Sequence, residues 1–340
     1  MHLKSIASAL PPFSYTQADC WNAFLKSAAV DRLRPRSRAL MERILCGDSG
    51  IDSRNFCLPA IEPVFDLSAS RLNALFEHEA PKLAAEALEK ALVSAGLKAR
   101  ELDALIVCTC TGYLCPGVSS HVAEKLGLRP DAFLQDIVGL GCGAAIPTLR
   151  SARGILAAEP GAIVATVAVE ICSAAFYVDD DPGVLISLCL FGDGAGAAIW
   201  TGSGEPGQWR VGRFDTVHRP EQREKIRFVN AEGKLRNQLD RAVPEIAASA
   251  ARELFERSSF EPDQIIAHCG GRDVVDALES VLPFKLDETR EILRRHGNLS
   301  SPSALLSLEQ RLNGGHDADT KLWLLTFGAG FAAHSCELTR

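Results

Sequence analysis

The chain has 340 residues, 47% hydrophobic and 23% charged, with a formal net charge of -7; this suits a soluble enzyme of two ordinary domains or one duplicated one, and without a basic run it argues against a general nucleic-acid role. Eleven cysteines, odd in number and scattered through apolar segments, read as reduced thiols in a cytoplasm, and Cys108, Cys110 and Cys115 lack the paired spacing of structural zinc. No signal peptide is visible at Met1, and the longest apolar run, 162–177, is interrupted by Glu170 and too short to span a bilayer.

A short strand pattern opens the chain at 2–6, and 15–46 is helical in pattern until Asp48-Ser49-Gly50 ends it with turn chemistry. An extended stretch at 51–58 holds Arg54. Leu75, Ala80, Leu83, Ala87, Ala91 and Leu92 recur near helical spacing and predict a long amphipathic helix over 70–96. Buried strands follow at 102–111, 132–140, 162–169 and 195–200, with helices at 119–126 and after Cys142 to about 157. Such alternation predicts an α/β fold with a mainly parallel sheet covered by helices on both faces.

The segment Thr201-Gly202-Ser203-Gly204-Glu205-Pro206 is the clearest composition shift, and it divides the chain into halves at 1–201 and 202–340. The second half repeats the plan more loosely: strands at 209–217 and 225–229, a helix over 241–258, a strand at 265–267, helices at 274–282, 286–295 and 302–312, and strands at 322–326 and 331–338. Asn313-Gly314-Gly315-His316 reads as a loop.

Three glycine-flanked turns carry the chemistry. Gly141-Cys142-Gly143 turns an apolar extended segment into a helix, where the glycines admit close approach and the helix N-terminus favours thiolate. Taken alone, a cysteine there is most often inert core. His268 ends the strand of Ile265-Ile266-Ala267 before Gly270-Gly271, and Asn298 stands beside Gly297 between two helices. Each alone is more often a structural group, but cysteine, histidine and asparagine together suit acyl transfer, since the N–H groups of neutral His and of Asn can both point at one developing oxyanion.

With these residues the chain resembles the type III polyketide synthases, the chalcone and stilbene synthase superfamily, within the thiolase-fold condensing enzymes. The matching segments run from Val107-Cys108 through Pro116-Gly117, then Gly141-Cys142, Leu190-Phe191-Gly192-Asp193-Gly194-Ala195, Ala267-His268-Cys269-Gly270-Gly271 and Gly297-Asn298-Leu299-Ser300-Ser301. The resemblance implies a thiolase-like five-layered αβαβα fold made of two related halves, the first carrying the nucleophilic cysteine and the second the histidine and asparagine, in a homodimer. It implies that Cys142 takes an acyl starter from coenzyme A. His268 would keep Cys142 as thiolate and, with Asn298, hold malonyl-CoA through decarboxylation, the resulting enolate attacking the bound acyl group to give an alkylpyrone or resorcinol-type product. Phe191 would be the aromatic gate. The cavity would be lined by Cys110, Thr111, Cys115, Glu170, Cys172, Ala175, Ser187 and Gly233, with small core filler as the plain alternative for the cysteines. Coenzyme A thioesters are the implied substrates, with no metal and no redox cofactor.

Several positions depart from the family pattern. Thr326-Phe327-Gly328-Ala329-Gly330 lacks the loop proline, and the shortened stretch from Gly233 to Pro244 leaves one gate phenylalanine of the plant enzymes without a clear counterpart. The basic cluster for coenzyme A phosphates is reduced to Arg54, and Pro147 fits its helix only in the first turn. A ketoacyl synthase III-like enzyme making a single condensation with malonyl-carrier protein uses the same three groups and is the alternative. A degradative thiolase would need a second cysteine in the loop near Gly330. A non-catalytic thiolase-fold subunit would need none of the three.

Overall fold

A computed structural model describes residues 1–314 and 320–340; of the loop expected near Gly314, Gly315 and His316 lie outside the described residues. In chain order the elements are β1 (His2–Ala9), β2 (Phe13–Thr16), α1 (Gln17–Lys26), α2 (Ala29–Arg32), α3 (Pro35–Leu45), β3 (Ser53–Phe56), α4 (Ala69–Ala95), β4 (Ala104–Thr109), α5 (Val118–Leu126), β5 (Phe133–Val138), α6 (Ala145–Ala158) and β6 (Ile163–Glu170). Then come α7 (Pro182–Leu190), β7 (Gly194–Thr201), β8 (Arg210–His218), β9 (Ile226–Ala231), β10 (Lys234–Leu239), α8 (Val243–Arg257), β11 (Gln264–Ala267), α9 (Arg272–Glu279), α10 (Asp287–His296), α11 (Ser303–Asn313), β12 (Lys321–Gly328) and β13 (Ala332–Thr339).

Nine strands join in the order β11-β12-β13-β8-β1-β7-β6-β4-β5. The pairings repeat about the centre. In the first half β4 and β6 are parallel, and β7 and β1 follow antiparallel. In the second β11 and β12 are parallel, and β13 and β8 follow antiparallel. The two strand sets meet at one register pair, His2 with Arg210. β5 extends the first set by a further parallel pairing with β4 and has no counterpart in the second.

The sheet is therefore mixed, not mainly parallel. Local hydrophobic pattern reports burial but not strand direction, and the turn between β12 and β13 is too short for the crossover that a parallel pair requires.

Helices α6 and α11 each pack against strands of both sets and form the central layer. On the outer faces, α4 and α5 cover the first set, while α8 and α10 contact the second and α9 packs on α8. This gives the αβαβα layering. One apolar cluster draws on both halves, joining Leu3, Ile106 and Trp200 to Val211, Ile266 and Leu324.

The long helix α4 is set by its sequence. The Ser68 hydroxyl caps it by accepting from Arg71 N–H, Gly96 ends it in the left-handed conformation at φ 67°, and its buried stripe includes Leu72, Phe76, Ala80, Leu83, Ala87 and Ala91. The expected 15–46 helix is three helices, α1 to α3, preceded by β2. The strand expected at 225–229 is β9, whereas α7 and β10 were not anticipated. In α7, Asp181 caps Gly183 N–H at 2.8 Å and Pro182 takes the first position. The hairpin β9–β10 turns on Glu232 and Gly233, both at positive φ, as its two-residue loop requires. Among the described residues no helix is long and apolar enough to cross a membrane.

Candidate active site

Cys142 lies in a single helical turn, Gly141–Gly143, between the end of β5 and the start of α6. The turn is clasped from behind by the end of β12. A methyl group at Gly328 would stand 2.5 Å from Gly143 N and 3.0 Å from Cys142 N, and Thr326 Oγ1 donates to the Gly143 carbonyl at 2.9 Å. Pro147 is the third residue of α6, in the first turn, where no intrahelical N–H is required of it.

Cys142, His268 and Asn298 all line one cavity of about 580 Å³. His268 directly follows β11, 1% exposed, with its ring 5.0 Å from that of Phe327 and Nδ1 without a hydrogen-bond partner among the described residues. Asn298 is held at both ends of its amide: Oδ1 accepts from Ser300 N–H and Nδ2 donates to the Gly270 carbonyl, each at 2.8 Å. One amide hydrogen remains for a ligand. Its backbone pairs with Phe191, and Phe191 lines the same cavity.

Burial works against the expected resting thiolate. Burial pushes the Cys142 thiol up to about 12, opposed by the Ser300 hydroxyl and reinforced by Glu170. Burial also pulls His268 down to about 3, opposed by the Ser300 backbone. Both shifts disfavour the charged forms. Burial first, and Glu170 second, raise the thiols of Cys110 and Cys172 well above the ordinary range.

Ser300, which pattern reading does not single out, connects the parts. It is held at φ 60°, and its hydroxyl donates to Cys142 Sγ at 3.2 Å, within 3.4 Å of Cys110 Sγ and 3.3 Å of Glu170 Oε1. Glu170, fully buried, accepts from Ser301 Oγ at 2.6 Å, Thr111 Oγ1 at 2.8 Å, Cys110 N–H at 2.9 Å and Thr111 N–H at 3.1 Å. It anchors the floor of the site and does not line it.

The other expected lining residues divide. Cys110 faces the main cavity. Thr111, Cys172, Ala175 and Ser187 line a smaller space of about 20 Å³ that shares Phe191 with the main cavity and is also lined by Ser300. Cys115 is exposed in the loop before α5, and Gly233 is exposed at the hairpin turn, so neither lines either space.

Arg54 is also misplaced as a phosphate ligand. It is 2% exposed; Nη1 donates to the carbonyls of Leu188 at 2.7 Å and Phe191 at 2.9 Å, and Nε donates to Gln17 Oε1 at 2.9 Å. The extended segment turns this side chain inward to satisfy the end of α7. The cations lining the cavity are Arg43, Arg227, Arg241 and Arg272. Arg272 follows Gly270-Gly271 directly, a position where a helix N-terminus and a guanidinium both favour anions.

A cysteine turn, a neutral histidine and an amide donor, brought to one cavity by two repeated α/β halves, define a thiolase-fold condensing enzyme. The profile of the chalcone and stilbene synthases, N-terminal domain, matches residues 2–205. A relative named 3,5-dihydroxyphenylacetyl-CoA synthase, from Streptomyces toyocaensis, is 30% identical over 92% of this chain and 83% of its own. The crystal structure of the type III polyketide synthase 1,3,6,8-tetrahydroxynaphthalene synthase from Streptomyces coelicolor superposes with a TM-score of 0.87 at 25% identity, covering 100% of this chain and 99% of that one. PKS-I of the brown alga Ectocarpus siliculosus shares the fold, with a TM-score of 0.89 at 22% identity over 99% of this chain and 97% of its own. The chain belongs to the chalcone and stilbene synthase family and is a type III polyketide synthase.

Proposed function

We propose that this synthase loads an acyl starter from coenzyme A onto Cys142 and extends it with malonyl-CoA to an alkylpyrone or resorcinol-type product. The observation that carries this reading is the convergence of Cys142, neutral His268 and the half-free Asn298 amide on one cavity.

In loading, His268 takes the proton of Cys142 as the sulfur attacks the thioester carbonyl. The acyl–sulfur bond forms, and coenzyme A leaves with that proton. Malonyl-CoA then loses carbon dioxide, and the electron pair of the broken C–C bond becomes an enolate whose oxygen is held by N–H groups of His268 and Asn298. The enolate carbon attacks the acyl group on Cys142, forming the new C–C bond and expelling the sulfur. Decarboxylation supplies the carbanion, so donors aimed at the oxyanion in a water-poor site matter more than a strong base.

The residues in hand call for no metal or redox group at any of these steps. Arg43, Arg241 and Arg272, in place of Arg54, are our candidates for the coenzyme A phosphates. The active form in this reading is a homodimer in the cytoplasm.

The test is intact-protein and product mass spectrometry with malonyl-CoA and a panel of acyl-CoA starters. Adducts on Cys142 and released pyrones or resorcinols are expected. A single condensation that proceeds only with malonyl-carrier protein would move the chain to the ketoacyl synthase III reading. Asn298→Ala is expected to abolish malonyl-CoA decarboxylation while Cys142 still becomes acylated, and loss of loading with decarboxylation intact would reverse that assignment.

A further inference from the structure

Phe191, Phe228 and Asn237 line both the 580 Å³ cavity and the 20 Å³ space behind it, and so form the wall between them. The wall is pinned. Asn237 Nδ2 donates to Ser187 Oγ at 2.8 Å, and Ser187 Oγ donates in turn to the Gly183 carbonyl at 2.8 Å, tying β10 to the first turn of α7. A side chain at Gly183 would run into the Leu239 carbonyl, so helix and strand are already in backbone contact there.

The space behind the wall holds about one water molecule. The main cavity reaches from Arg43, Arg241 and Arg272 to Cys142, and in the function proposed above it is also the route by which the malonyl thioester arrives. An acyl group on Cys142 has little room that the incoming thioester does not need, and a long chain would lie along the entry route and block extension.

We propose that the Asn237–Ser187 bond and Phe228 restrict this enzyme to short acyl starters. These are specificity-determining residues of the proposed reaction, and the inference rests on that reading.

The experiment follows acylation of Cys142 by intact mass, with acetyl-, malonyl-, butyryl-, hexanoyl-, octanoyl- and dodecanoyl-CoA, in the native chain and in Asn237→Ala, Phe228→Ala and Ser187→Ala. The native enzyme is expected to load the two- to four-carbon groups at least about tenfold faster than hexanoyl and longer ones. Asn237→Ala and Phe228→Ala are expected to raise hexanoyl and octanoyl loading by about tenfold or more. Ser187→Ala, which removes the acceptor of the Asn237 bond together with the hydroxyl's own bond to the Gly183 carbonyl inside α7, is expected to shift the profile the same way by a smaller factor.

Equal loading of dodecanoyl and acetyl groups by the native chain would overturn the inference and leave the polyketide synthase reading standing. So would an unchanged profile in whichever variants retain native thermal unfolding. Absence of any adduct with any thioester would remove the underlying reading, and this inference with it.

Discussion

At the scale of single residues, Arg54 and Cys142 behave differently from what their types suggest. Arg54 is a buried brace for the chain segment that carries Phe191, bonded to two carbonyls and to Gln17. Arg54→Lys keeps the charge but loses the fork, and should lower the unfolding free energy by about 2–3 kcal/mol. Because the guanidinium does not reach the cavity mouth, coenzyme A affinity of the folded variant should stay at the native value; calorimetry and a binding isotherm read the two separately. For Cys142, a raised thiol beside a histidine whose neutral form persists to about pH 3 means that thiolate accumulates only as pH rises. Iodoacetamide labelling of Cys142, mapped by peptide mass, should keep increasing beyond pH 9, whereas a plateau reached near pH 6 would signal a resting thiolate–imidazolium pair.

At the scale of elements, the decisive contact is between β12 and the cysteine turn. Gly328 lies so close to Gly143 N, Leu140 O and Cys142 N that Gly328→Ala must displace the backbone of the Cys142 turn. Loading should fall by about 10²-fold with circular dichroism unchanged, since even an ångström of misplacement costs that much. Much at this scale was legible in the chain. α4 follows from its periodic Leu and Ala and its Gly96 cap, and the turns holding Cys142, His268 and Asn298 follow from their flanking glycines. α7 was obscured because Val184-Leu185-Ile186 and Leu188-Cys189-Leu190 make it apolar nearly all round, with no helical period to read, although Asp181-Pro182 marks a helix start. Strand direction, the inward turn of Arg54 and the place of Ser300 at φ 60° depend on contacts between distant segments, which local pattern does not encode.

At the scale of the whole molecule, β5 is an edge strand, bonded among the described residues only to β4, and it leaves Phe133 54% and Val138 50% exposed, with Leu134 and, in the loop after β4, Tyr113 exposed as well. An open, apolar edge of this kind is a template for pairing with a second copy. Light scattering should therefore give twice the 36.6 kDa of one chain. Phe133→Glu with Leu134→Asp should convert that species to a monomer, and a native chain that is already monomeric would refute the homodimer. The two sheet arms cannot act as separate units, because α6 and α11 are shared between them and one apolar cluster crosses the join.

The β9–β10 hairpin gives this architecture a second property. Phe228 and Asn237 stand opposite each other across its ladder, Asn237 in register with Phe228, while its turn at Glu232 and Gly233 is exposed. Cys142 and His268 are carried by turns at strand ends and Asn298 by the connection between α10 and α11, while among the described residues this two-stranded appendage pairs with neither arm as a sheet. If Phe228 and Asn237 set the acyl length as proposed above, substitutions confined to this ribbon change what the enzyme accepts while the turns that hold Cys142, His268 and Asn298 stay as they are.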